Sequence, residues 1–357
     1  MRILAFGGTG AMGVPLVNIL ANQGHDVYVT SRSRRDSRPN VTYLQGDAQS
    51  DFEFVKEILR DKYDAIVDFM VYSSEELKRR ISFYLTHTEQ YVFFSSSRVY
   101  AQSETPLTES SPRLLDVSKD RTYLATDEYA LAKAREENIL RDSSYRNWTI
   151  IRPYITYNER RIQLGVYEKE NWLYRALAGR TVVFPKDIAD RYTSLTYGPD
   201  VAATVVKLLG NNNALGEAFH IVNAEKVTWR QVAELYQQVV FDHIHQTIGI
   251  DYPDSSTGLQ QVWNPWQIKY DRLYDRVFDS GKVESVISDI TFRPTRDGLT
   301  QCLIRFLDNP KWLDYRMNWK YEAWSDKQEH QFTNVFAIPG KRMKLSYLKN
   351  RILSQAI

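Results

Sequence analysis

A glycine-rich turn directly after the first apolar strand constrains the fold of this chain more than any other feature. The strand reads Met1-Arg-Ile-Leu-Ala-Phe6, and the turn reads Gly7-Gly-Thr-Gly10-Ala-Met-Gly13. Glycines permit a tight turn and a close approach of the backbone to a ligand, and the N-terminus of the following helix favours negative charge. The pattern predicts the first βα unit of a parallel sheet that binds a dinucleotide, although the spacing differs from the common G-x-G-x-x-G.

Short β-rich segments alternate with helical segments through residues 1–150. We predict helices at 11–23, 52–59, 75–85 and 123–140, and strands at 2–6, 26–30, 42–44, 65–69, 91–95 and 148–152. Ser73-Ser-Glu-Glu76 fits a capping box at the start of the third helix. Six strands separated by helices indicate an α/β fold, a doubly wound parallel sheet of the Rossmann type in the order 3-2-1-4-5-6.

The domain organisation follows from where this alternation stops. We predict a dinucleotide-binding domain at 1–155, to which residues 194–223 return. The segment 156–357 is irregular and rich in aromatic residues, and it predicts a smaller mixed domain that mainly binds substrate and carries a C-terminal extension. We find no internal repeat in the sequence.

Composition excludes several classes of protein. Of 357 residues, 43% are hydrophobic, so a sizeable core is available. The net charge of +2 predicts no general attraction to nucleic acid or membranes, and the single cysteine, Cys302, excludes an internal disulfide. No apolar run approaches the length of a membrane span, and the chain starts with a strand instead of a signal peptide. We therefore expect a cytoplasmic protein.

Tyr129 and Lys133 are four residues apart in a predicted helix and so share one face. An ammonium beside a phenol favours transfer of the phenolic proton, which is the chemistry that accompanies hydride transfer. The sequence Ser95-Ser-Ser97-Arg-Val-Tyr100 ends the fifth strand, where a hydroxyl can donate to the same substrate oxygen. The alternatives are an ordinary exposed helix pair and ordinary turn serines.

The end of the second strand distinguishes the two nicotinamide dinucleotides. NAD-binding folds carry an acid there for the ribose hydroxyls, whereas an arginine accommodates the 2′-phosphate of NADP. This chain reads Thr30-Ser-Arg32-Ser-Arg34-Arg35 with no acid, so NADP is favoured and NAD stays possible. A solvated basic loop is the alternative. Asp47 closes the third strand and is either an acceptor for the adenine amino group or a simple N-cap.

The chain resembles an extended short-chain dehydrogenase/reductase of the NAD-dependent epimerase/dehydratase type, which acts on nucleotide sugars. The matching pieces are the glycine turn, Gly46-Asp47, the serine segment 95–100, Tyr129-x-x-x-Lys133 and Ile151-Arg-Pro153, with Asp200-Val-Ala202 and Phe219-His-Ile-Val-Asn223 further on. The similarity covers roughly the first 310 residues, and no counterpart is placed for the tail from Lys311.

The resemblance implies a role for each matching position. Tyr129 would donate or accept the proton, Lys133 would hold the nicotinamide ribose, and Ser96 would polarise the substrate oxygen. The implied cofactor contacts are Gly7, Gly10, Met12, Gly13, Arg32, Arg34, Asp47, Ala48, Phe69, Met70, Ser95, Tyr129, Lys133, Pro153 and Ile155. The implied substrate contacts are Ser97, Arg98, Asn158 and Arg191. The family also implies a homodimer.

Positions at which this chain differs from the family pattern limit the types of reaction that we expect of it. The 4,6-dehydratases carry an Asp-Glu pair where this chain has Ser97 and Arg98, which argues against dehydration. Cys302 lies far down the chain and is interpreted as structural, which argues against epimerisation beside a ketone. The predicted function is NAD(P)-dependent oxidation or reduction at a sugar ring carbon, by a ketosugar reductase or a 4-epimerase. The rival is an inactive scaffold that binds RNA or regulates.

A histidine pair and a basic C-terminal stretch are weaker features of the sequence. His243 and His245 are two residues apart and point to different faces of a helix, so we expect no metal site there. Residues 341–353 form a basic amphipathic stretch, whose apolar side we expect to pack on the protein or on a second subunit in preference to lipid.

Overall fold

The first strand is buried on both of its faces, so helices must cover both sides of the sheet that contains it. Ile3, Leu4, Ala5 and Phe6 have no exposed surface. In the computed structural model, which describes residues 1–353, this strand lies inside a seven-stranded parallel sheet. The alternation of side chains along it divides the core into two layers.

The seven strands of the sheet follow the order β3-β2-β1-β4-β5-β6-β11. The order 3-2-1-4-5-6 predicted from the sequence is therefore confirmed, and β11 adds a seventh strand that pairs in parallel with β6. The strands are β1 Arg2–Phe6, β2 Asp26–Ser31, β3 Val41–Gln45, β4 Tyr63–Asp68, β5 Thr88–Phe94, β6 Trp148–Pro153 and β11 Glu217–Ile221. The two-residue strands are β7 Thr156–Tyr157, β8 Val182–Val183, β9 Tyr192–Thr193, β10 Thr196–Tyr197, β12 Val227–Thr228 and β13 Ile250–Asp251.

The α-helices connect and cover these strands. They are α1 Gly13–Asn22, α2 Phe52–Ile58, α3 Ser74–Thr86, α4 Leu114–Val117, α5 Arg121–Leu124, α6 Tyr129–Arg141, α7 Lys169–Leu177, α8 Lys186–Ala189, α9 Gly198–Leu208, α10 Trp229–Ile244, α11 Pro265–Gln267, α12 Gly281–Val286, α13 Thr295–Asp308, α14 Trp319–Gln328 and α15 Lys341–Leu348. Short 3-10 helices lie at Ser97–Val99, Asn212–Ala214, Leu259–Gln261, Asp314–Arg316 and Val335–Ala337, and π-helical turns at Ile268–Arg272 and Lys349–Leu353.

The helix expected at 123–140 is wrong at its N-terminal end, because two helices occupy this region. Asp120 caps α5 by accepting from the Tyr123 backbone N–H, and Glu128 caps α6 by accepting from Ala130 N–H. Side chains such as Asp and Thr compete for backbone hydrogen bonds and favour caps over helix interiors. The break places Tyr129 at the first residue of α6. The capping box at Ser73 and Glu76 is confirmed.

The described chain divides into two compact units. Unit 1 comprises Met1–Asn158, Ser194–Glu225 and Val277–Thr295. It contains the seven-stranded sheet and two hydrophobic layers. One layer joins α1, α9 and α12 to side chains such as Ile3, Ala5 and Val67. The other joins α2, α3 and α6 to the opposite face of the same strands, through side chains such as Leu4 and Phe6.

Unit 2 comprises Glu159–Thr193, Lys226–Arg276 and the described chain from Arg296 onward. A buried charged network joins its α7, α14 and α15. Asp326 accepts from Arg175 at 2.6 Å and from the Tyr347 hydroxyl at 2.6 Å. Tyr347 also packs with Trp319 and Ala323 in a small apolar cluster. One face of α15 therefore packs within its own unit.

Candidate active site

In the glycine turn between β1 and α1, Gly13 is tightly packed, whereas the space beside Gly10 is open. Gly7 has φ +68°, which non-glycine residues rarely adopt. A Cβ on Gly13 would lie 2.6 Å from the backbone of Gly8, so α1 approaches the turn too closely for any side chain. A Cβ on Gly10 would meet only the Gly7 carbonyl oxygen, at 3.9 Å. The N-terminus of α1 has no side-chain cap, so its N–H groups fit a pyrophosphate.

Alanine substitutions at these two glycines are expected to have different effects. Gly13→Ala should destabilise the fold by about 2–3 kcal/mol or more, because the new methyl group meets backbone atoms that cannot move aside. Gly10→Ala should change the free energy of unfolding by less than about 0.5 kcal/mol. It should still weaken dinucleotide binding by about tenfold or more, because the methyl group occupies the space beside the helix N-terminus. Denaturant unfolding and calorimetric titration measure the two effects, and unchanged affinity in Gly10→Ala would contradict this role of the turn.

Basic side chains follow β2, where the sequence places the dinucleotide ribose. Arg32 and Arg34 are exposed, whereas Arg35 donates to the Ser31 hydroxyl at 3.3 Å. Arg32 is close enough to Asp47 to help lower the pKa of that carboxyl, although the hydrogen bond from Ser50 is the larger cause. The structure therefore leaves Arg32 and Arg34 available to a phosphate group.

Further predicted cofactor contacts follow the ends of β3 and β4. Asp47 accepts hydrogen bonds from Gln49 N–H at 3.0 Å and from the Ser50 hydroxyl at 2.8 Å, so it serves as a turn cap. Ala48 is buried, and its carbonyl oxygen accepts from Arg80. Phe69 and Met70 are half-buried and flank Gly7, with Met70 Sδ 2.9 Å from where a Cβ on that glycine would lie.

The three serines after β5 point to different partners. The Ser95 hydroxyl donates to Glu137 Oε1 at 2.7 Å, and the Ser97 hydroxyl donates to the Arg152 carbonyl oxygen at 2.8 Å. The Ser96 hydroxyl oxygen accepts from Arg98 N–H at 3.2 Å. Its own proton has no acceptor among the hydrogen bonds of the described residues, so it can be donated to a ligand. Ser97 is fully buried and is not brought to the same place as Ser96.

Arg98 joins the serine turn to the start of α6. Its guanidinium lies 5.4 Å from the centre of the Tyr129 ring and donates to Glu128 Oε1 at 2.7 Å. Tyr129 keeps 37% of its surface exposed, so the phenol is accessible. Because the backbone of Arg98 donates to Ser96 and its side chain covers Tyr129, this residue brings the two predicted catalytic groups to one turn.

Lys133 lies one turn further along α6 and is almost completely buried. Its Nζ is 2.9 Å from Glu136 Oε2 and 4.5 Å from the centre of the Phe93 ring. The sequence predicts that this ammonium holds a ribose, and in the structure its ionic partner is Glu136. Burial raises the pKa of Glu136 to about 7, against the opposing charge of Lys133.

The remaining predicted contacts follow β6 or lie in unit 2. Ile155 is buried with φ +23°, and Pro153 is half-buried. The Asn158 amide donates to the Ala11 carbonyl oxygen at 3.2 Å, which ties this segment to the glycine turn. Arg191 belongs to unit 2, where its backbone N–H donates to the Ile188 carbonyl oxygen.

Glu136, Glu137 and Asp68 also belong to this region, although no predicted motif includes them. Glu137 is fully buried and accepts two hydrogen bonds from Arg152, at 2.7 and 2.6 Å. Asp68 is fully buried and accepts from Tyr91 and Tyr72. For the two glutamates, the available signal is their position three and four residues after Lys133, which brings both near the lysine's face of a helix. No comparable signal in the sequence points to Asp68.

Other chemistry-bearing residues do not form a site in the described part of the chain. His243 Nε2 is 2.7 Å from Asp308, and His245 ends α10 in a left-handed conformation. No cluster of three or more metal-ligating side chains occurs among residues 1–353. Cys302 is buried within α13. Among the helices of these same residues, none has the length and apolar character that crossing a membrane requires.

Comparison with known protein families decides the identity of this fold. A family model described as NAD(P)H-binding matches residues 7–190, more than half of the chain. The match includes the glycine turn, Ser96, Tyr129 and Lys133. The chain belongs to this NAD(P)H-binding family. It is an extended short-chain dehydrogenase/reductase, as predicted, and the prediction of a nicotinamide dinucleotide as its cofactor is confirmed.

Individual relatives of this extended short-chain dehydrogenase/reductase are distant. The chloroplast stem-loop binding protein of 41 kDa b from Arabidopsis thaliana is 28% identical over 251 residues, 65% of this chain and 61% of that protein. A 2′-dehydrokanamycin reductase from Streptomyces kanamyceticus is 24% identical over 294 residues, 80% of this chain and 78% of that protein. The chain thus spans less than two thirds of the chloroplast protein's length.

A solved structure shows the same fold. The dTDP-glucose 4,6-dehydratase from Bacillus anthracis, determined in complex with NAD, superposes with a TM-score of 0.65 at 17% identity, over 89% of this chain and 100% of that chain. At this identity the likeness concerns the fold, and the α/β Rossmann-type sheet predicted from the sequence is confirmed.

Proposed function

We propose that this protein is an NADP-preferring oxidoreductase that transfers hydride at a ring carbon of a nucleotide sugar. The observation that carries the proposal is the turn in which Arg98 connects Ser96 to Tyr129. A donor hydroxyl and an accessible phenol at the carboxyl edge of a parallel sheet are suited to a substrate whose oxygen gains or loses a proton.

The residues of the chain divide the work of the reaction. A nicotinamide dinucleotide held at the glycine turn and by Lys133 would supply the hydride chemistry. The Ser96 hydroxyl donates a hydrogen bond to the substrate oxygen and orients it, and Ser96 keeps its proton. Tyr129 gives its phenolic proton to that oxygen in reduction and recovers it in oxidation. Arg98 holds the tyrosine ring in place, and the uncapped N-terminus of α1 binds the pyrophosphate.

The same residues argue against elimination of water. Ser97 is buried with its hydroxyl on a backbone carbonyl, and the Arg98 guanidinium is paired with Glu128. Neither side chain supplies the carboxyl acid and base that dehydration needs. Two reactions therefore stay in the proposal, reduction of a ketosugar and 4-epimerisation. The exposed Arg32 and Arg34 favour reduction, because a reductase takes hydride from NADPH once and then releases the oxidised cofactor.

The first test identifies the dinucleotide. The purified protein is denatured and any released dinucleotide is identified by mass spectrometry, after which NADPH and NADH are titrated into the emptied protein. Tighter binding of NADPH, followed by its oxidation with a nucleotide ketosugar, supports the reductase. Near-stoichiometric NAD in the purified protein favours the 4-epimerase. Binding of neither dinucleotide contradicts the proposal.

Arg32→Ala provides a second test, directed at the choice between the two dinucleotides. Loss of a charged hydrogen bond to the 2′-phosphate costs about 1.5–3 kcal/mol, so NADPH affinity should fall by about tenfold to 150-fold. NADH affinity should stay within about twofold, because NADH lacks that phosphate. Arg60→Ala removes an exposed arginine of the same unit and serves as the control for net charge. An equal loss of affinity for both dinucleotides would show that Arg32 does not bind the 2′-phosphate.

A second candidate function is RNA binding, which the similarity to the chloroplast stem-loop binding protein favours. The described tail presents basic and aromatic side chains. Phe336 is 90% exposed with the Lys344 ammonium 5.9 Å from its ring centre, and Lys341 and Arg342 are exposed beside them. Salt-sensitive binding of a stem-loop RNA that survives Tyr129→Phe and is lost in a double Lys341→Ala, Arg342→Ala variant would support this function.

A further inference from the structure

Glu136 is a fully buried carboxylate whose ionic partner is the lysine of the proposed site. Its Oε2 lies 2.9 Å from Lys133 Nζ, and the two side chains are 0% and 2% exposed. Within the described residues, neither carboxylate oxygen accepts an aligned hydrogen bond, and Lys133 Nζ donates none. The pair is therefore a close buried ion pair, and Lys133 Nζ makes no hydrogen bond to any other group among the described residues.

Among the described residues, Lys133 is the cation that acts most strongly on the Glu136 carboxyl. The other charged groups with the largest effect on it are both acids, Asp68 on β4 and Asp127 in the segment before α6. Asp127 is itself paired with Arg135. The Tyr72, Tyr84 and Tyr91 hydroxyls surround Asp68, from the segment before α3, from α3 and from β5. Glu137, the next residue of α6, is turned to Arg152.

Loss of the lysine would leave Glu136 as an isolated buried charge. Burial already raises the pKa of this carboxyl to about 7, while the Lys133 ammonium acts in the opposite direction. An ionised carboxylate without a partner in a buried place is strongly disfavoured, and such a group takes up a proton instead. Lys133 can turn to the hydroxyls of a ribose only if the carboxylate is neutralised in this way.

We propose that Glu136 is a positioning residue, which holds Lys133 in the free protein and takes up one proton when Lys133 turns to the ribose of a bound dinucleotide. The inference rests on the proposed function in so far as a dinucleotide must bind. The proton comes from the solvent and is added to the Glu136 carboxylate, while Lys133 keeps its charge throughout. Dinucleotide affinity is thereby linked to pH through a residue that does not contact the cofactor.

The test measures the number of protons taken up on binding together with the affinity for the dinucleotide. The dinucleotide found to bind is titrated calorimetrically into the wild-type protein between pH 6 and pH 8.5, in two buffers of different ionisation enthalpy. Below about pH 6 Glu136 is protonated in both states, so affinity should not vary with pH. Above pH 7 the complex should take up close to one proton, and affinity should fall by up to about tenfold per pH unit.

Glu136→Gln gives the matching variant, since glutamine keeps the size and cannot ionise. We expect its affinity to be independent of pH, and at pH 8 to exceed that of the wild type. Glu53→Gln removes an exposed carboxylate on α2, and its dinucleotide affinity should depend on pH as that of the wild type does.

Three results would overturn the inference while leaving the proposed function intact. They are binding to the wild type without proton uptake, binding with proton release, and a Glu136→Gln variant whose affinity depends on pH as in the wild type. If Glu136→Gln does not fold, the number of protons that the wild-type protein takes up on binding is sufficient to test the inference. No dinucleotide binding at any pH would overturn both proposals.

Discussion

Replacing Tyr129 with phenylalanine is expected to reduce kcat on the nucleotide-sugar substrate by about 10²–10⁴-fold, the range that a positioned general acid or base contributes. The variant lacks only the hydroxyl that exchanges the proton. The ring stays under the Arg98 guanidinium, since the contact of 5.4 Å depends on the aromatic face. Dinucleotide affinity should therefore change by less than about twofold, and stability should be close to that of the wild type.

The control for this variant is Tyr145→Phe. Tyr145 and Tyr129 are both 37% exposed, so the same atom is removed from an equally accessible ring outside the proposed site. Steady-state turnover and calorimetric titration of the dinucleotide are measured for both variants. Turnover of Tyr129→Phe within tenfold of the wild type would exclude Tyr129 as the acid/base. Loss of turnover with equal loss of dinucleotide affinity would place the tyrosine in binding.

Glu137→Gln is expected to destabilise the protein by about 3–5 kcal/mol, because it leaves a buried arginine without its counter-charge. Arg152 is 1% exposed and donates to both oxygens of Glu137, at 2.7 and 2.6 Å. Arg113 and the Ser95 hydroxyl complete the hydrogen bonds of the carboxylate. The pair joins α6 to β6 beneath the serine turn, so its loss also disturbs the place where Ser96 is held.

Asp116→Asn is the matched control for the Glu137 prediction. Asp116 pairs with the same Arg113, but its side chain is 46% exposed, and exposed pairs contribute only about 0–1 kcal/mol. Urea unfolding at pH 7 gives both free energies. A loss below about 1 kcal/mol in Glu137→Gln would show that the fold neutralises Arg152 in another way.

The free energy of unfolding should depend on pH through the Glu137 carboxyl. Burial acts to raise the pKa of Glu137, but the charge and hydrogen bonds of Arg152 outweigh it, and the net pKa lies below the ordinary value. The unfolded chain therefore binds this proton more readily than the folded protein. The stabilisation is complete above the unfolded pKa of about 4.3 and is lost as the pH falls through the lower folded value.

The sheet and the motifs of the site could be predicted because they are local properties of the sequence. The glycine turn, the alternation of strands and helices, and the spacing of Tyr129 and Lys133 all concern residues close together in the chain. Since βα units connect with one hand and parallel strands share one carboxyl edge, this local information is sufficient to bring the motifs together. The sequence pattern does not show the break before Tyr129, because Asp120 and Glu128 act as caps only once the chain turns there.

The partners of the buried charges depended on the tertiary structure. Tyr129 and Lys133 belong to a helix whose sequence also contains Glu136 and Glu137, and nothing in that sequence says which carboxylate pairs with which cation. Packing of α6 against the sheet directs Glu137 to Arg152 and leaves Glu136 with Lys133. The sequence by itself determined the fold and the position of the proposed catalytic residues in it. The tertiary structure decided which partner neutralises each buried ionisable group. At the surface water solvates a charge whichever partner it has, but a buried charge depends on a specific partner.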